Sequence, residues 1–158
     1  MVTILEGEED VWCWGTGDDA GTGKGWGAMG VLAGCVSVAS VALVDAGIDV
    51  LDIVVGGVAA VVPADGSMAK SKSSGDSLEN GGLIVLDPNP VEHENIIAAC
   101  TVGYIVSRDE MSLLWLKGAI SGPDSEKLID AAVKAARATK RVIEETVRDA
   151  TEARLQDT

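Results

Sequence analysis

Blocks of apolar and polar positions divide this chain into seven elements. Residues 2–5 (VTIL) form a short β-type run that leads straight into Glu6, Glu8, Glu9 and Asp10. Residues 6–27, rich in Gly and Asp and broken by Trp12, Trp14 and Trp26, read as a long loop insertion. Residues 30–45 are apolar on every side, which predicts a buried core helix, and Gly47 beyond their end suits a left-handed C-cap. Residues 50–62 (VLDIVVGGVAAVV) are dominated by β-branched side chains and stopped by Pro63. They predict a buried central strand whose Gly56 and Gly57 let a helix come close.

The polar, low-complexity stretch 64–81 reads as a second loop insertion. A strand at 83–86 ends in the turn DPNP, and 96–106 with 111–120 predicts a β-hairpin around Ser107-Arg108-Asp109-Glu110. One long helix, about 124–155, closes the chain. Ser121 and Asp124 offer a capping box at its start, and Leu128, Ala132, Ala135, Ala136, Ile143, Val147 and Ala150 form a stripe at helical spacing. The order β, α, β, β, β, β, α is an α+β fold: a mostly antiparallel sheet packed by a buried helix and a long C-terminal helix.

Length and composition fit one domain. The chain has 158 residues, 19 of them glycine, and no phenylalanine, so the core is built from Val, Ile, Leu and Ala at close backbone distances. Of the net charge of −13, residues 124–158 carry only −1, with eight acids against seven bases, and the remainder is acidic. A free-standing nucleic-acid binder shows the opposite sign, because phosphates are met by Lys and Arg. An acidic surface argues for a protein partner or for solubility alone. Cys13, Cys35 and Cys100 are odd in number and lack a C-x-x-C pair, which disfavours a disulfide framework or a zinc site. Cys35 and Cys100 read as buried small apolar residues. The acidic start carries no signal-peptide pattern. Residues 28–44 are uncharged for seventeen positions, at the lower limit of a spanning helix, but rich in Gly, Ala and Ser; a core helix and no membrane contact is the expectation.

One stretch invites a functional reading. Gly25, Gly27 and Gly30 in GWGAMG match the dinucleotide pattern G-x-G-x-x-G, with Asp49 about twenty residues on. A true fingerprint follows a buried strand directly, whereas GTGDDAGTGK precedes Gly25, and Asp18 and Asp19 would set negative charge beside a diphosphate. The neighbouring GTGKG fails as a P-loop, since Gly25 stands where Ser or Thr must hold magnesium. His93 is the single histidine, which excludes a multi-histidine metal site. Asp87, Glu92 and Glu94 cluster after a strand, as an acid/base or metal pair could, or as solvated acids around a proline-bounded turn. Lys134, Arg137, Lys140 and Arg141 form a basic band on the last helix, read as a salt-bridged solvent face.

The A-L-x-D-A-G-I segment at 42–48, the L-D-P segment at 86–88 and the hairpin after them resemble the RNase PH family. Within it they look most like eukaryotic RNA exosome ring subunits of the mRNA-transport type. The resemblance implies one RNase PH-like domain over 1–158 that lacks the family's N-terminal β-α half. Active members carry D-G-G-T-R before the first helix, whose last residues hold the attacking phosphate. Counted back without gaps, those positions fall on Gly27, Ala28, Met29, Gly30 and Val31, so the arginine is Val31. The second motif, L-D-x-x-Y-x-E-D with a later aspartate, keeps Asp87 and Glu92 but places His93 and Ala99 at the other two acids. A methyl group neither binds magnesium nor donates a proton.

The resemblance therefore implies a non-catalytic ring subunit supporting 3′-to-5′ RNA processing and degradation, without cofactor or metal. Its partners would be other RNase PH-like ring subunits and an RNA-binding cap subunit, with RNA met only through the ring channel, in nucleus, nucleolus and cytoplasm. Two rival readings remain: an active phosphate-dependent 3′ exoribonuclease using Asp87, Glu92 and Glu94, and a nucleotide-binding protein using Gly25 to Gly30.

Overall fold

The computed structural model describes residues 26–63, 82–89, 92–93 and 96–156. Among them, α1 (Gly27–Asp45) is followed by β1 (Val54–Pro63), β2 (Gly82–Leu86), β3 (Ala98–Ile105), β4 (Glu110–Gly118) and α2 (Gly122–Gln156). The strand expected at 2–5, nearly all of the 6–27 insertion and the whole 64–81 insertion lie outside the described residues. The rest of the expected order holds, and the fold is α+β.

The four strands form one antiparallel sheet in the order β2-β1-β3-β4. β1 is central because its side chains are small and branched and carry no charge; eight of its ten residues are buried. Successive residues of a strand point to opposite faces, and the two adjacent glycines show what each face receives. A Cβ on Gly56 would lie 2.1 Å from the Ala33 carbonyl oxygen of α1, and one on Gly57 would lie 2.2 Å from the Ala132 carbonyl oxygen of α2. One helix therefore covers each face. Met29 and Ala33 pack with Val58, Ala60, Val62 and Ala99 on the α1 side. Leu128, Ala131, Ala132 and Ala136 pack with Ala59, Val61, Cys100 and Val102 on the α2 side.

Gly47 adopts φ +73°, with its N–H on the Val44 carbonyl and the Ile48 N–H on the Leu43 carbonyl. This double bond pattern closes α1 as a Schellman motif, as the glycine implied. At the start of α2, Ser121 and Asp124 do meet, but side chain to side chain: the Ser121 hydroxyl donates to the Asp124 carboxylate at 2.9 Å.

Several expectations are corrected. α1 is not buried on all sides: only Met29, Ala33, Ser37 and Ser40 are buried, while Val38 and Leu43 are 58% and 45% exposed. Its length and apolar composition would suffice to cross a membrane; here one face lies on the sheet. Cys35, on that helix, is only half-buried, whereas Cys100 is fully buried and its thiol is pushed by burial up to about 11. β1 begins at Val54 and not at position 50, because Asp52 turns its carboxylate onto the Ile53 N–H and ends extended pairing there. The stripe on α2 is buried as far as Ala136, but Ile143 and Val147 are half-buried and Ala150 is exposed, since the helix outruns the sheet.

Candidate functional site

The first turn of α1 holds the described part of the glycine motif. Trp26 is the N-cap and makes no side-chain cap bond. Gly27 and Gly30 sit in ordinary helix, and a Cβ on Gly30 would meet nothing within 4 Å. No steric demand selects glycine at that position, unlike a loop that must bring backbone against a pyrophosphate. Gly25 lies outside the described residues.

The sheet brings position 99 to this turn. Ala99 pairs with Ala60 on β1 and with Lys117 on β4. It is 1% exposed, in the cluster that holds Met29 and Ala33, with Trp26 and Trp115 packed against it. Thr101, two residues on, donates its hydroxyl to the Met29 carbonyl at 3.3 Å and so ties β3 to the same turn. The surroundings of Ala99 are thus methyl groups, a thioether and indole, with Lys117 as its neighbour on β4. Val31 is half-buried, off the stripe that α1 lays on the sheet.

The acids follow β2. Asp87 follows β2 in the left-handed region at φ +48°, exposed, with its N–H on the Val58 carbonyl at 3.0 Å. Glu92 and His93 fold back over Asn89: both backbone N–H groups reach the Asn89 carbonyl, and the His93 Nδ1 lies 3.1 Å from the same oxygen. Asn89 also donates to the Glu92 carboxylate at 3.5 Å. These contacts fold the segment into a turn around Asn89. Among the described residues no three His, Cys, Asp or Glu come together as a metal site. Glu94 lies outside them.

Two features escaped the sequence reading. Lys117, opposite Ala99, places its ammonium 4.9 Å from the centre of the Trp26 ring, a cation–π contact that caps the start of α1. The second is an ion pair, Lys140 with Asp52, at 2.9 Å and with side chains only 11% and 13% exposed. Helical spacing groups Lys140 with a solvent-facing band, but in the fold the α1–β1 connection covers it. Burial pushes the Asp52 carboxyl up, but the hydrogen bonds from Lys140, then Ser107 and Ile53, outweigh it and hold the group well below the ordinary carboxylate range. Burial likewise lowers Lys140, and Asp52 and Glu144 more than reverse this, so its pKa is raised. Of the same band, Arg137 bonds Asp109 at 2.9 Å and the Tyr104 hydroxyl at 3.0 Å, while that hydroxyl donates to Asp109. A helical period separates stripes of polar residues but does not say which loop will cover one of them.

Past the sheet, α1 and α2 converge on a cleft of about 550 Å³ lined by Val38, Val41, Ala42, Ile143 and Val147. Arg154 and Asp45 pair across its end at 2.9 Å.

No family model matches the chain. It is similar to the exosome complex component MTR3 of Chaetomium thermophilum, with 39% identity over 148 residues, or 90% of this chain. The chain spans a little under half of that relative, 45% of its length. The match bears out the exosome resemblance carried by the segments at 42–48 and 86–88.

Proposed function

The chain is a homologue of an exosome complex component, and from that premise we propose that it is a non-catalytic subunit of the RNA exosome ring. In this reading it supports 3′-to-5′ RNA processing and degradation as architecture. The observation that carries it is the burial of Ala99 among Met29, Ala33 and Trp26, next to the turn where active enzymes of this type grip phosphate. A phosphate needs charge-assisted hydrogen bonds, and its desolvation in an apolar pocket without them costs many kcal/mol. Val31 supplies no cation, His93 and Ala99 no carboxylate, and the retained Asp87 and Glu92 stand on an exposed turn. The chain's own role is then to hold a layered shape against neighbours.

Those neighbours are other RNase PH-like ring subunits and an RNA-binding cap subunit, with RNA met only through the assembled channel. The acidic charge suits docking on basic partners, and the sites of action are nucleus, nucleolus and cytoplasm. The test has two arms. Single-stranded RNA incubated with the chain, phosphate and magnesium yields no nucleoside diphosphates, and the chain co-purifies with ring subunits when expressed with them. Diphosphate release sinks the silent reading; failure to associate with any ring subunit sinks the architectural one.

A further inference from the structure

We draw no further inference here: the strongest candidate, the apolar cleft between α1 and the C-terminal half of α2 with the bare Val38 and Leu43 beside it, carries nothing because nothing in the structure shows what covers it.

Discussion

Ser37 of α1 accepts the backbone N–H of Gly56 at 2.9 Å while donating to the Ala33 carbonyl at 3.0 Å. Ser40 does the same service for Val54, at 2.8 Å. β2 pairs with β1 only from Ala59 to Pro63, so the start of β1 has no strand on that edge. Buried N–H groups left unpaired are costly. Two helical hydroxyls stand in for the missing strand, which explains polar residues on the buried stripe of an otherwise apolar helix.

Ser37→Ala removes the acceptor and strands the Gly56 N–H. The expected loss is about 1–3 kcal/mol, the cost of an unsatisfied buried donor, read from urea denaturation. Thr146→Ala is the control, because Thr146 bonds a carbonyl of its own helix on the exposed side. A shift no larger for Ser37 than for Thr146 would show that the edge is hydrated.

Asp52→Asn leaves the buried Lys140 with only its longer contact to Glu144, at 3.5 Å, and is expected to cost about 3 kcal/mol at neutral pH. Asp52 has a depressed pKa, so its contribution is present above the unfolded value of about 4 and disappears as pH falls through the lower folded value. Lys140 is raised, so its contribution is full below about pH 10 and fades above. The gap between parent and variant should therefore be flat near neutrality and close on acidification below about pH 4. Adding Lys140→Met to Asp52→Asn should recover part of the loss, since removing both charges also removes the desolvation penalty.

Gly57→Ala sets a methyl 2.2 Å from the Ala132 carbonyl oxygen and 2.5 Å from the Ala136 nitrogen, both backbone atoms that cannot swing aside. α2 must lift, and the loss should reach about 3 kcal/mol or more. Gly30→Ala meets open space in a helix and should stabilise by roughly 0.5–1 kcal/mol. Thermal melts of the two variants that move in the same direction would contradict the packing described here.

Ala99→Asp sets a carboxylate where the proposed reading places the missing acid, and buries it between Ala60, Met29 and Trp26. Lys117 lies opposite on β4, but its ammonium is engaged over the Trp26 ring, so the expected outcome is a loss of roughly 3 kcal/mol and no gain in phosphorolysis. A variant that folds as well as the parent and releases diphosphates would mean that the pocket still has its catalytic shape.

Much of the layout was legible from residue order. β1 announces itself because a run of branched side chains ended by proline has few other uses, and Gly47 ended α1 where predicted, at φ +73°. The hairpin strands and the long α2 also fell in place. Less legible was Lys140, which periodicity groups with exposed neighbours until the Asp52 loop closes over it. The acids at 87 and 92 are close in sequence, which groups them as a cluster. In the fold the Asp87 N–H meets the Val58 carbonyl, while Glu92 is held by the Asn89 carbonyl and side chain.

The sequence by itself determined the helices and strands among the described residues and the sheet's central strand, because local conformation is a property of residues and their near neighbours. Only the tertiary structure decided that Gly56 and Gly57 serve two helices on opposite faces, that Ser37 and Ser40 replace a strand, and that Val38 and Leu43 of an apolar helix face away from the sheet. Those outcomes depend on which surfaces meet, and that is set by contacts between residues far apart in the chain.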